Sequence, residues 1–180
     1  FLGRYIVQRL ARAGFLIDII TRDPNAGLFL KPLGHVGQIN LILGNVLSWE
    51  HLKKIIKDSN AIVNCVGILN ERGNQQFKNL HSEFPEKLAK CATEIGVDKF
   101  VHISSIGADR SSDSRYARTK GVGEDRILTI FPAAIILRPS VIFGAEDQFF
   151  NLFSLIASLS PVVPLVGGKT LFQPVYVDDI

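Results

Sequence analysis

The sequence predicts an α/β fold, a doubly wound parallel sheet of Rossmann-like architecture. Apolar runs of strand length alternate with segments of helical pattern along the whole chain. The apolar runs are nearly continuous in Val, Ile and Leu, as parallel strands buried on both faces require. This alternation is typical of a sheet with helices on both faces, and 180 residues fit one such domain.

The elements follow one another in a regular order. Strands are predicted at residues 15–20, 39–43, 61–66, 100–103 and 134–137, and helices at 3–13, 49–57, 77–95, 115–131 and 148–159. Gly14 and Gly96 are predicted to end helices, because glycine readily adopts the left-handed conformation found there. Ser48 is predicted to cap the helix that starts at residue 49.

The order of elements begins with a helix, whereas a doubly wound nucleotide-binding fold begins with a strand at the centre of its sheet. The chain starts on Phe1 and contains no Met. We therefore expect a strand and a glycine-rich turn before Phe1 in the intact protein, and a substrate region after Ile180. The domain over residues 1–180 is then incomplete at both ends, and the two halves of its sheet lack the strand between them.

Composition excludes several classes of protein. A hydrophobic fraction of 47% rules out intrinsic disorder, and Cys65 and Cys91 are too few for a disulfide scaffold. The four histidines are scattered, so no metal site is expected, and dispersed Lys and Arg at net charge +3 argue against nucleic-acid binding. Residues 148–168 carry no charge but include two prolines, so we expect a buried or interface-facing helix and then an extended segment, with no transmembrane span.

Gly3 and Arg22 fit the second half of a dinucleotide-binding motif. A glycine at the start of this helix lets a pyrophosphate approach the helix N-terminus, although a packing glycine would look the same. Arg22 follows the first predicted strand, where an arginine can pair with a 2′-phosphate and an acid would bind the ribose. The pattern favours NADP(H), with NAD possible because Asp23 would compete with the phosphate; an ordinary solvated arginine is the alternative.

Tyr116 and Lys120 form the strongest candidate for chemistry. At a spacing of four residues they share one face of a helix. A neighbouring ammonium favours the phenolate of a tyrosine, which makes the hydroxyl a usable acid–base group. Ser104 and Ser105 end the preceding strand, where such sheets bind ligands, and could hydrogen-bond a substrate oxygen. An exposed helical pair without function is the alternative.

The chain resembles the extended or atypical branch of the short-chain dehydrogenase/reductase superfamily. The matching segments are Gly3, Gly44-Asn45-Val46, Asn64-Cys65-Val66-Gly67, the set Ser105, Tyr116 and Lys120, Arg138-Pro139 with the residues up to Gly144, and Val175 to Asp179. The resemblance implies that Asn45 and Val46 contact the adenine, that Val66 and Gly67 line the cofactor, and that Pro139 lies on the nicotinamide side.

The resemblance also implies catalytic roles. Lys120 would bind the nicotinamide ribose and activate Tyr116, which would transfer a proton as hydride moves to or from the cofactor. Ser105 would orient the substrate oxygen, with Ser104 as the competitor for that role. Departures from the family pattern are few: Asn45 stands where the family more often has Asp.

Three longer blocks give a narrower resemblance. Residues 114–124, 143–151 and 168–177 are similar to the nucleotide-binding accessory subunits of respiratory complex I and their bacterial relatives. That resemblance implies bound NADPH, a structural role, complex I subunits as partners, and a location in the cytoplasm or peripheral on the inner face of a respiratory membrane. Two alternatives stay open: an active NAD(P)-dependent oxidoreductase or sugar-nucleotide epimerase/dehydratase, and an interaction module that binds no nucleotide.

Overall fold

Parallel strands and helices alternate in the computed structural model, which describes residues 1–46, 48–159 and 169–180. The strands are β1 (Ile17–Thr21), β2 (Ile39–Leu43), β3 (Ala61–Asn64), β4 (Lys99–Ile103), β5 (Ile135–Leu137), β6 (Ile142–Phe143) and β7 (Val175–Tyr176). The α-helices are α1 (Leu2–Arg12), α2 (Trp49–Ile56), α3 (Phe84–Ile95), α4 (Arg115–Ile130) and α5 (Phe149–Leu159). The predicted α/β class is confirmed.

All strand pairs are parallel, but the described strands form three separate sheets. β1 pairs with β2, β3 and β5 flank β4, and β6 pairs with β7. Within the described ranges, no strand joins the β1–β2 pair to the β3–β4–β5 sheet. In the parallel sheet of three strands, register places Asn64 beside His102, so the ends of β3 and β4 lie at one edge.

The main core lies between the β3–β4–β5 sheet and the helices α2, α3 and α4. Phe100 of β4, Leu52 of α2 and Ile127 of α4 are almost wholly buried there. Each helix contributes the apolar residues that recur at helical spacing on one face. A smaller cluster of Val7, Ala11 and Ile39 joins α1 to β2. The larger core therefore fixes α4, the helix that carries Tyr116 and Lys120.

Two strands, β1 and β3, are each two residues shorter at one end than predicted, for local reasons. β1 begins at Ile17 instead of residue 15, because the Phe15 N–H still bonds to the Leu10 carbonyl at 3.1 Å and closes the end of α1. β3 ends at Asn64 instead of residue 66, because the Asn64 side-chain oxygen accepts the Val66 N–H at 3.0 Å and turns the chain. Such side-chain-to-backbone bonds compete with the pairing of strands.

The helix predicted over residues 77–95 is divided. A π-helical turn (Lys78–Glu83) precedes α3, and Pro85 stands in the first turn of α3. Proline has no N–H, so the ordinary α-helical bond to the carbonyl four residues earlier, that of His81, cannot form. π-helical turns are rare and often occur at functional sites.

The predicted ends of three helices are confirmed. Gly14 and Gly96 both have positive φ at the ends of α1 and α3. Ser48 is the N-cap residue of α2, as predicted, although its side chain makes no capping hydrogen bond. The helix predicted at 148–159 is present as α5, and none of its residues is buried by the described part of the chain.

The uncharged stretch of residues 148–168 extends beyond α5. Residues 160–168, where an extended segment is predicted, lie outside the described residues. Among the helices that the structure describes, none has both the length and the apolar character needed to cross a bilayer.

Candidate functional site

A cavity of about 440 Å³ opens where β1, β2 and β3 end. Its wall includes five of the residues predicted to bind a cofactor: Arg22 after β1, Asn45 and Val46 after β2, and Val66 and Gly67 after β3. The carboxyl ends of parallel strands are where open α/β sheets bind their ligands. The structure therefore brings these five residues to one opening, as the sequence predicts.

The charge of the cavity wall is positive. Among the described residues that line it, Arg22 and Arg72 are charged and none is acidic. Asp23, expected to compete with a phosphate, is absent from the lining. Its carboxylate accepts the backbone N–H groups of Asn25 at 2.9 Å and Ala26 at 3.1 Å, which commits it to a turn. An anionic group in the cavity would meet arginine without a facing carboxylate.

Lys120 connects α4 to the strand ends. The side chain is buried, and its Nζ donates to the Ile103 carbonyl at the end of β4 at 3.1 Å. Gly67 lies so close that a methyl group there would be 3.4 Å from Nζ. Burial lowers the pKa of Lys120 to about 8, against the opposing influence of the Glu124 carboxylate. The ammonium is thus held beside the wall of the cavity.

Tyr116 lies in the first turn of α4, within an aromatic cluster. Its ring meets Phe77 and His81 edge to face, with centroid separations of 5.7 and 5.3 Å, and Phe77 stacks on His81. The turn is fixed by Ser114, whose hydroxyl accepts the Ala117 N–H at 3.4 Å as a helix cap. Edge-to-face contacts of this kind orient a ring, so Tyr116 is held on the face of α4 that also carries Lys120.

His81 packs against Phe77 and Tyr116 in the aromatic cluster. The sequence alone predicts no role for this histidine. The ring is fully buried; its Nε2 accepts the Ile68 N–H at 3.1 Å, and Nδ1 lies 3.3 Å from the Thr119 hydroxyl. Burial and the positive charge of Lys120 lower the pKa of His81 to about 4. The spacing of four residues from Phe77 in a predicted helix is the one signal that could have placed His81 beside it.

The two serines after β4 have buried hydroxyl groups. Neither the Ser104 nor the Ser105 oxygen has a hydrogen-bond partner among the described residues, and neither has the Nε2 of His102. The Nδ1 of His102 accepts from the Asn64 amide at 3.0 Å, which leaves the proton of the neutral ring on Nε2. Burial lowers the pKa of His102 to about 3. Buried polar atoms without partners are uncommon and fit a site whose ligand supplies the missing bonds.

Glu124 joins α4 to the residue that follows β5. This buried carboxylate accepts bonds from Nε of Arg138 at 2.9 and 3.1 Å, and the guanidinium also pairs with it through a second nitrogen. Arg138 directly follows β5, and the Pro139 carbonyl accepts the Ile106 N–H at 2.8 Å, joining the loops after β4 and β5. The pair fixes the helix of Tyr116 and Lys120 relative to the sheet.

The remaining predicted residues lie outside the lining of the cavity. These are Gly3, Ser104, Ser105, Tyr116, Lys120 and Pro139. Gly3 lies in the first turn of α1, with open space where a side chain would point. Within the described residues, no group of three or more His, Cys, Asp or Glu side chains could hold a metal ion. The structure thus brings five of the predicted residues to the cavity wall and leaves the other six outside it.

The profile of the NAD(P)H-binding family matches residues 1–126, a range that contains the cavity wall, Tyr116 and Lys120. The chain belongs to this family. The match covers more than half of the chain and begins at its first residue, in α1. The prediction of a protein of an NAD(P)-binding family is therefore confirmed.

Curated relatives extend over the whole of this NAD(P)H-binding chain. Subunit 9 of the NADH dehydrogenase [ubiquinone] 1 alpha subcomplex, a mitochondrial protein of Mus musculus, is 38% identical over 183 residues, covering 100% of this chain and 48% of the mouse protein. A ceramide reductase of Caulobacter vibrioides is 28% identical over 180 residues, covering 99% and 55%. The chain spans about half the length of the curated relatives it matches. The predicted resemblance to complex I accessory subunits is confirmed.

Solved structures share the fold of this NAD(P)H-binding protein. The UDP-glucuronic acid 4-epimerase of Bacillus cereus in complex with NAD superposes with a TM-score of 0.78 at 19% identity, covering 99% of this chain and 68% of the epimerase. At that identity the likeness establishes the fold alone. The predicted Rossmann-like, epimerase-like architecture is thereby confirmed.

Proposed function

We propose that this protein binds NADP(H) as a fixed part of its structure and acts as an accessory protein of respiratory complex I. The observation that carries the proposal is the cavity at the strand ends, with arginine and no acid on its described wall. NADP differs from NAD by one phosphate on the adenosine ribose, and the guanidinium fork matches a phosphate in geometry and charge. Arg22, Asn45 and Val46 would hold the adenosine end.

The residues at the other end of the site fit a nicotinamide ribose. Lys120 would donate to the ribose hydroxyls, and the buried Ser104 and Ser105 hydroxyls would gain partners that they lack in the described structure. Gly67 leaves room for the nucleotide beside Lys120. Gly3, at the start of α1, would let the pyrophosphate approach the helix N-terminus, and Pro139 would lie on the nicotinamide side. When bound, the cofactor supplies a hydride donor or acceptor.

Two observations support the proposed association with complex I: the names of the relatives and the exposed apolar surface of α5. Mitochondrial proteins of a mouse and a rat named as complex I subunits are 38% and 37% identical over the full chain. α5 exposes Phe149, Leu152 and Leu155 and buries none of its residues, which suits a helix that packs against a partner subunit. The protein would then be peripheral on the inner face of a respiratory membrane.

Thermal unfolding with added nucleotide tests the binding proposal. At a concentration one hundred times its Kd, NADPH should stabilise the folded protein by about 2.7 kcal/mol. In a domain of this size that raises the Tm by about 5–10 °C. NADH should give a smaller shift at equal concentration, and Arg22→Ala should reduce the NADPH shift toward that of NADH. If neither nucleotide changes the Tm, the proposal that the protein binds NADP(H) is wrong.

A second function is favoured by a specific observation. Tyr116 and Lys120 are both present and held on one face of α4, and a relative named as a ceramide reductase is 28% identical over almost the whole chain. In a reductase, Tyr116 would donate a proton to the substrate oxygen while Ser105 orients it. The substrate class would be a carbonyl compound or its alcohol.

The variant Tyr116→Phe separates the two functions. An accessory protein should keep its NADPH binding and should still co-purify with respiratory complex I, because the phenyl ring preserves the contacts with Phe77 and His81. A reductase should lose turnover by about a hundredfold, the contribution of a positioned acid. Turnover by the wild type that Tyr116→Phe abolishes, together with no association with complex I, would replace the first proposal with the second.

A further inference from the structure

A short turn beyond β3 carries a cationic side chain to the wall of the cavity. Arg72 and Gln75 exchange two backbone hydrogen bonds of 3.0 Å, and Gly73 between them adopts positive φ. Arg72, Asn74 and Gln75 all line the cavity. The closed hydrogen-bond pair makes this a defined turn rather than an open loop.

Glu71 holds the base of the same turn. Its carboxylate accepts the Phe77 N–H at 2.9 Å and pairs with Arg115 of α4 at 2.9 Å. Glu71 is thereby engaged with other partners and leaves its neighbour Arg72 unneutralised. Two separate interactions therefore hold Arg72 at the cavity. One is the backbone pair between Arg72 and Gln75, and the other is the ion pair that joins Glu71 to α4.

Arg22 and Arg72 are both exposed, and neither guanidinium has a hydrogen bond or ion pair within the ranges 1–46, 48–159 and 169–180. Surface arginines of this protein commonly find a carboxylate: Arg9, Arg115 and Arg126 all do. Two unpaired guanidinium groups on a wall without acids form a local field that attracts an anion.

We propose that Arg72 binds the 2′-phosphate of NADP(H) together with Arg22, and so sets the preference for NADP over NAD. The inference rests on the proposed function and adds a specificity-determining residue to it. The 2′-phosphate is favoured over the pyrophosphate because Arg22, the other arginine of the same wall, stands where the residue that reads the ribose is expected. Gly3, whose helix N-terminus suits the pyrophosphate, is outside that lining.

The position of Arg72 explains why the motif spacing does not reveal it. The dinucleotide fingerprint places the residue that reads the ribose about 20 residues after the glycine turn, which is where Arg22 stands. Arg72 lies in a different loop, after a different strand, and reaches the cavity only because the turn closes on itself.

Titration of the purified protein with NADPH and with NADH tests the inference. Arg72→Ala should weaken NADPH binding by about tenfold, the loss of one charge-assisted hydrogen bond, and should leave the Kd for NADH unchanged. Arg72→Lys should keep part of the affinity, because a point charge replaces the planar fork. Arg12→Ala is the matched control: it removes an exposed arginine of α1 that does not line the cavity.

Each outcome decides between the two proposals. If Arg72→Ala weakens the binding of NADPH and of NADH equally, or changes the binding of neither, Arg72 does not bind the 2′-phosphate. This inference then fails while the proposed function stands. If the wild type binds neither nucleotide, or binds both with the same Kd, the NADP(H) proposal fails and takes this inference with it. Urea unfolding of apo Arg72→Ala should match the wild type, since the side chain has no partner within the described structure, so a binding defect is not a folding defect.

Discussion

Lowering the pH from 7.5 to 4.5 is expected to reduce the free energy of unfolding by roughly 5 kcal/mol, because His81 and His102 are buried in the neutral form. Burial lowers their pKa values to about 4 and about 3, whereas a histidine in the unfolded chain titrates near 6.5. Between these values the unfolded chain binds two more protons than the folded protein. Stability is therefore complete above pH 6.5 and is lost as the pH falls toward 4.

Urea unfolding at a series of pH values measures this loss. Two protons give a slope of about 2.7 kcal/mol per pH unit, and each protein that lacks one of the histidines should show about half of it. His81→Gln and His102→Gln are the informative variants, and His35→Gln, at an exposed position, is the control that should keep the full slope. A wild-type stability that is flat between pH 6.5 and 4.5 would show that neither ring is buried in the neutral form.

Replacing Gly123 with alanine is expected to destabilise the protein by about 3 kcal/mol or more. An added methyl group at Gly123 would overlap the carbonyl oxygen of His81, a backbone atom that cannot rotate away. The helices could relieve the clash only by moving α4 away from the π-helical turn, which would open the contact around Tyr116. Forcing extra atoms into a packed interface costs on the order of 1–3 kcal/mol or more.

Gly3→Ala provides the matched control for Gly123→Ala. Gly3 is also helical, and nothing lies within 4 Å of an added methyl group there. Alanine at such a position is expected to stabilise the apo protein by about 0.5–1 kcal/mol. Equal urea midpoints for Gly123→Ala and the wild type would mean that α4 and the π-helical turn are not packed as described.

The parallel strands and their helices were predictable because the signal is local. Val, Ile and Leu in continuous runs give the strands, and Gly14 and Gly96 end two helices by their positive φ. The π-helical turn was not predictable in the same way, because six residues are too short for its wider i→i+5 period to show in the spacing of apolar residues. Only Pro85, which removes one N–H from the ladder, marks the place in the sequence where α geometry fails.

The candidate site was predictable where a residue type must follow a strand. Arg22 was predicted from its place after a strand, whereas Asn45 and Gly67 were predicted from the family resemblance. All three line one cavity because parallel strands bring their carboxyl ends to one edge. His81 and Arg72 were missed because their roles depend on tertiary contacts: a buried ring that accepts the Ile68 N–H, and a turn that closes over the cavity. No spacing rule encodes either contact.

The burial of Lys120 implies a difference in free energy between the empty and the nucleotide-bound protein. A pKa lowered from 10.5 to about 8 means that the folded protein holds its ammonium against a penalty of roughly 3 kcal/mol below pH 8, and the penalty fades as the pH rises to 10.5. In the proposed binding mode, an anionic dinucleotide beside that ammonium would recover part of this energy. Loss of the nucleotide would then leave the buried ammonium of Lys120 without that compensation.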